Sequence, residues 1–346
     1  MITNRYINNL VENTYNKNIG ILPKITLNSW IAVENTLNDD RTINRIQMTN
    51  SKSVYYTMQG GGISNVIYRT LDNGISWQLW STCGFPNSPF LATIKDEGWA
   101  YTGFGLKKIP VGGSNMIIHI WEQPKAIVGL SVNQNLTFGT FITQNGEVYE
   151  TSDGAIFNKV YSADLFSTAI PPIQIAVIYE CSQINPENIW VGGQKETSTL
   201  INGIRITNRK PYLLYKNDNT GWKERIFFNE PNSQVNKLYF IDKNNGFLMI
   251  DALGATLVDL QKKILKTTNG GDTWTAVYNN EKFTNFTFKN ENIGWAILDN
   301  KIYKTIDGGT SWQIDLTHDQ NLRNIAYKDN VVWAISKDKI LKYYIQ

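Results

Sequence analysis

Short apolar runs alternate with polar residues along the whole chain, each too short for a globular helix and each bounded by clusters of Gly, Asn, Asp or Ser. Two kinds of run recur in order. A first alternating strand is predicted at Ile43–Met48, Phe90–Ile94, Ala126–Val132, Ile173–Ile178, Lys237–Ile241, Phe283–Phe288 and Leu322–Tyr327. A second, aromatic-rich strand follows at Val54–Met58, Trp99–Thr102, Phe138–Ile142, Trp190–Gly192, Phe247–Ile250, Trp295–Leu298 and Val332–Ile335. The second strands recur at spacings that bracket the roughly 40 to 50 residues of a four-stranded propeller blade. The longer units carry apparent insertions at Gln194–Arg209 and Asp251–Lys262.

Each unit continues with a third strand, a tight polar turn and an aromatic residue. Three turns are sharp: Thr70 to Trp77, Thr267 to Trp274 and Thr305 to Trp312. In them Asp72, Asn269 and Asp307 are placed to fold a side chain onto the backbone, and Gly74, Gly271 and Gly309 to supply positive φ. Trp77, Trp274 and Trp312 then open a fourth strand with a large face to bury. Worn copies run from Thr151 through Asp153 to Phe157, from Lys216 to Trp222, and from Val111 to Trp121. The last unit, Leu322–Ile345, lacks a fourth strand, and Ser29–Val33 carries the missing Ser-Trp segment. The sequence therefore predicts an all-β, seven-bladed β-propeller over residues 21–346, its N-terminal strand completing the blade of Trp333. Closure removes the open edges that invite aggregation. Ahead of it, residues 1–20 form an extension in which Ile2, Tyr6 and Leu10 fall at helical spacing, predicting a short amphipathic helix at 3–15.

The turn octet resembles the Asp-box, or BNR repeat, of sialidase-type propellers, sortilin-like receptors and the photosystem II stability/assembly-factor family. Gly294–Trp312 is most similar to the assembly-factor group. The resemblance spans residues 22–346 as a repeat pattern and implies a rigid platform that binds another macromolecule. It does not imply a photosynthetic role, because the repeat is far wider than that setting.

Composition narrows the functional classes. The chain has 346 residues with 18% charged and 12% aromatic, including 11 Trp, which argues against disorder. The net charge of +3 is spread without basic runs, so no nucleic-acid partner is expected. No run approaches the roughly eighteen apolar residues of a membrane helix. Met1 to Gly20 has no apolar leader region, so the expectation is a cytoplasmic, monomeric protein unless a leader has been removed.

Candidate chemistry is thin. Asp72, Asp153 and Asp307 read as structural turn acids, since none belongs to a calcium loop with its regular oxygen ligands. Gly60-Gly61-Gly62 and Gly103-x-Gly105 lack the Lys-Ser/Thr and helix of a phosphate loop. His119 and His318 are the only histidines, and Cys83 and Cys181 the only cysteines, too few and too scattered for a metal site. Both cysteines read as small buried hydrophobes. No cofactor, metal or catalytic residue is therefore assigned.

A sialidase-like glycoside hydrolase needs three convergent arginines, a Tyr–Glu pair and an acid. Arg69 instead precedes a turn, Arg205 and Arg209 fall in an insertion, and Tyr179 and Glu180 are strand neighbours facing opposite ways. Arg45, Lys237 and Arg323 fall at the starts of inner strands and form a candidate positive ring at one channel mouth. It would suit an acidic peptide, a C-terminus or an anionic glycan. Trp80, Phe85 and Tyr212 are candidate exposed stacking surfaces. The expected function is a non-catalytic platform for a protein or glycan, with a sialidase-like hydrolase or a lectin-like propeller as alternatives.

Overall fold

A computed structural model describes residues 27–33, 42–59, 65–83, 89–101, 105–113, 118–121, 127–133, 136–143, 146–162, 173–217, 221–227, 232–252, 262–278 and 282–346. The predicted helix at 3–15 lies outside them, as do Gly60–Gly62 and Phe85. Every regular element among the described residues is a strand, and the strands form seven antiparallel four-stranded sheets. Inner strands of successive sheets lie side by side around a ring, which makes a seven-bladed β-propeller.

Blade one is Ile43–Met48, Val54–Met58, Asn65–Thr70 and Gln78–Cys83, its first two strands matching the sequence reading to the residue. Blade seven is Asn324–Lys328, Val331–Ile335 and Ile340–Tyr344, completed by Trp30–Val33 from the N-terminal side. Trp30 pairs with Tyr343 and Val33 with Ile340, as ring closure by that strand required. The Trp30 indole also donates to Asp315 in blade six at 2.7 Å.

Successive residues of each strand face opposite sides of the blade, so alternate apolar residues meet the neighbouring blades. Second-strand aromatics lie in these seams. Trp99, Trp190, Trp295 and Trp333 are fully buried. Trp190, in the second strand of blade four, stacks on Phe240 of blade five at 3.6 Å and donates its indole N–H to the Gly270 carbonyl at 2.7 Å. Trp333 of blade seven lies under the Thr70–Trp77 turn of blade one. There a Cβ on Gly74, at φ 88°, would meet Val33 at 2.8 Å and the Trp333 ring at 3.0 Å. Glycine at that point serves both the turn and the seam.

The sharp turns share one hydrogen-bond plan. The Thr305 hydroxyl donates to Asp307 at 2.8 Å and accepts the Gly309 N–H at 2.9 Å. The Asp307 carboxylate then accepts the N–H and hydroxyl of Ser311 at 2.9 and 2.6 Å. Thr70, Asp72, Gly74 and Ser76 repeat the plan, and Thr267, Asn269, Gly271 and Thr273 keep it with an amide in place of the acid. The worn turn holds too: Asp153 accepts from Thr151, Ala155 and Ile156. The hydroxyl and N–H of Ser311 hold the Asp307 carboxyl below the ordinary range. At Asp72 burial pushes the carboxyl up, but hydrogen bonds from Ser76 and Thr70 outweigh it and the net direction is down.

Acids depressed in the folded chain stabilise it above their unfolded pKa of about 3.9, and that contribution fades as pH falls through the folded value. Asp307→Asn is accordingly expected to flatten the loss of stability below about pH 4, checked by urea unfolding across that window. Asp307→Ala is expected to cost about 1 kcal/mol at neutral pH, as a lost set of exposed charge-assisted hydrogen bonds.

Two insertions and one expectation about exposed aromatics bear on the site. The insertion at Gln194–Arg209 takes the form of a hairpin. It continues the blade-four strands Asn188–Ile201 and Ile204–Asn217 as one ladder, from Gln194 opposite Pro211 out to Ile201 opposite Ile204. Asp251 and Lys262, which bound the other insertion, are strand partners, and residues 253–261 between them lie outside the described residues. Trp80 and Tyr212 are buried between blades rather than exposed for stacking, because each fills a seam that a smaller side chain would leave open.

Candidate functional site: one mouth of the central channel

The inner strands line the channel, and four of them carry the same irregularity, near the start in blades one, three and five and further along in blade four. The pairing register shifts between Ile43 and Arg45, Ile127 and Gly129, Ile178 and Glu180, and Val235 and Lys237. An extra residue at such a bulge re-aims the side chains beside it. Arg45, Glu180 and Lys237 therefore come to one level, and Asn285 and Asn324 join them from blades six and seven. All five line a single cavity of about 460 Å³.

The charges are only partly matched. Lys237 Nζ sits 3.2 Å from Glu180 Oε1 across the seam of blades four and five, both largely buried. No carboxylate among the described residues pairs with Arg45, so two cations meet one carboxylate and the cavity stays positive. Two amide atoms in the same region, Asn44 Nδ2 and Asn285 Oδ1, are buried without a hydrogen-bond partner among the described residues. Buried polar groups left in this state cost free energy that a ligand with its own amide groups would recover.

Arg323 stands outside the cavity lining. It is exposed, and its guanidinium reaches Asn44 Oδ1 at 3.4 Å. The predicted ring is thus two lining cations plus one at the rim. Glu180, Asn44 and Asn285 complete the site and were missed as site residues: Asn44 and Asn285 fell near the starts of predicted inner strands, whereas Glu180 fell just past the end of Ile173–Ile178. Cys181 also lines the cavity, and burial pushes its thiol up to about 12, away from nucleophilic form. Cys83 is buried and both cysteines are free.

Other arginines are engaged elsewhere. Arg69 pairs with Asp96 at the seam of blades one and two, Arg209 pairs with Glu196 at 3.0 Å, and Arg225 donates to the Asp272 carbonyl. Among the described residues Arg45 alone of the arginines lines the cavity. No group of three His, Cys, Asp or Glu that would hold a metal occurs among them, and no helix among them is long and apolar enough to cross a membrane.

The fold and channel define a seven-bladed β-propeller. No protein-family model matches the chain, and no curated protein matches it. Among solved structures it is similar to "YCF48 bound to D1 peptide", at 16% identity and TM-score 0.52, covering 95% of this chain and 99% of that one. It is also similar to a polysaccharide lyase of family PL25, an ulvan lyase, at 13% identity and TM-score 0.58, covering 88% and 94%. The WD40 propeller domain of Doa1 matches at 10% identity and TM-score 0.56, covering 91% and 95%. At these identities the likeness concerns the fold, which hosts unrelated functions.

Proposed function

We propose that this chain is a non-catalytic platform that binds a protein partner at the channel mouth, accepting an acidic peptide or a chain terminus. Arg45 carries the reading: a half-buried guanidinium without a carboxylate partner among the described residues, in a cavity whose Asn44 and Asn285 amides await hydrogen bonds. A guanidinium binds carboxylate in a bidentate fork, and the amides match a peptide backbone. The solved propeller described as bound to a D1 peptide, and the resemblance of Gly294–Trp312 to assembly factors, support a peptide over other anions. Under this reading the turn residues Asp72, Asp153, Asn269 and Asp307 hold the blades and take no part in binding.

A hydrolase is the weaker reading. Glycoside hydrolysis ordinarily needs two carboxylates flanking the bond, and the cavity lining brings Glu180, already engaged by Lys237.

The test is a titration of fluorescein-labelled peptides, with acid or amide C-termini, against the wild type and Arg45→Ala. Acid-ended peptides should bind more tightly than their amides, and Arg45→Ala should weaken them by about tenfold or more. Binding of a uronate oligosaccharide with none of any peptide would make the chain a glycan binder instead.

A further inference from the structure

Four exposed aliphatic residues crowd onto the tip of the long blade-four hairpin: Leu200 is 55%, Ile201 52%, Ile204 68% and Ile206 49% exposed. The tip is rigid. Asn202 and Gly203 turn with φ of 50° and 81°, the two positive values of a tight I′ hairpin, and the ladder is unbroken back to Asn188 and Asn217. The neighbouring backbone stops short of it among the described residues: the inner strand Ile173–Asn185 reaches Ser198, and on the outer side the hydrogen bonds end at the Arg209 carbonyl, which accepts from the Asn232 N–H. Among the described residues no third strand flanks the last three rungs.

The apolar residues occupy both faces. Ile201 and Ile204 are cross-strand partners on one face, which Ile206 shares, while Leu200 lies on the other. A flat protein surface would cover one face and leave the other in water. A medium that surrounds the tip buries both.

Charge favours a particular medium. Between Thr197 and Asn208 there is one basic residue, Arg205, and no acid. From Lys195 to Lys210 four basic residues stand against Glu196, a balance of +3, or +2 when Glu224, the partner of Lys195, is included. Three rungs of ladder extend about 10 Å, close to the roughly 5–10 Å over which interfacial segments bury their apolar side chains. We propose that this hairpin tip inserts into the interface of an anionic lipid bilayer, with Lys195, Arg209 and Lys210 behind it at the headgroups. The hairpin leaves the ring at the end where the inner strands begin, so insertion turns the Arg45–Lys237 mouth toward the membrane. The insertion is independent of what that mouth binds.

The test is cosedimentation of the full chain with vesicles of phosphatidylcholine alone or of equal parts phosphatidylcholine and phosphatidylserine. The wild type should pellet with the mixed vesicles and far less with the neutral ones. Ile201→Asp with Ile204→Asp should lower that partition by about tenfold or more, with near-ultraviolet circular dichroism unchanged because the tip lies beyond the ring core. Failure of the wild type to bind the mixed vesicles, or undiminished binding by the variant, overturns the proposal. A dimer in sedimentation velocity that the variant abolishes also overturns it, by giving the tip to a second copy of the chain.

Discussion

Trp190→Ala should lower the stability of the whole ring by about 3–5 kcal/mol, the range for deleting a large buried aromatic. Trp190 is fully buried, stacked on Phe240 at 3.6 Å, and bonded through its indole N–H to the Gly270 carbonyl. Its removal opens a cavity at the seam of blades four and five and strips the carbonyl of its donor. Trp190→Phe keeps most of the apolar surface and loses the hydrogen bond, so a smaller loss of about 1–2 kcal/mol is expected. The same seam aligns Glu180 with Lys237, so the alanine variant should also disturb the cavity before it unfolds. Urea unfolding followed by tryptophan fluorescence measures both losses. A Trp190→Ala loss under about 1 kcal/mol would mean the seam repacks freely and the stacked geometry contributes little.

Lys107→Met should stabilise the protein. Lys107 is fully buried in the third strand of blade two, with Thr82 Oγ1 of blade one as a hydrogen-bond acceptor at 3.1 Å. Burial pushes its ammonium down to about 8, opposed in part by the Cys83 thiol nearby. The unfolded chain holds its proton up to about 10.4. Between those values the unfolded state binds more protons, so stability rises with pH across about 8 to 10.4. Below about pH 8 the full unfavourable contribution, about 3 kcal/mol, is present. Methionine fills a similar volume without a charge, so Lys107→Met should gain about 2–3 kcal/mol at pH 7 and abolish the alkaline rise. Denaturant midpoints at pH 7 and pH 10 for both proteins decide it. A variant less stable at pH 7, with the alkaline rise intact, would show that Lys107 is solvated or paired in a way this account omits.

The ring was legible because its determinants are local and repeated. Ile43–Met48 and Val54–Met58 could be bounded from alternation alone, and the strand that closes blade seven followed from a Ser-Trp segment without a blade of its own. The excess length at Gln194–Arg209 was legible, but its form was not drawn from it. Asn202-Gly203 between alternating apolar residues is a strong cue for the hairpin that the extra residues build. The site was only half legible. Position along an inner strand brought out Arg45 and Lys237, but the bulges that aim them, and the pairing of Lys237 with Glu180 from another blade, depend on how blades meet. Lys107 could not be foreseen either, since lysine in an alternating strand is ordinarily solvated and its burial follows from the seam of blades one and two.

Glu180→Gln tests the central claim most directly, that the mouth is a positive binding site and not a catalytic cleft. Replacing the carboxylate frees Lys237 and leaves the cavity more positive, so an acid-ended peptide should bind several-fold more tightly, measured by the same fluorescence titration. Weaker binding of that peptide to Glu180→Gln would contradict the account and make Glu180 itself a ligand-contacting group.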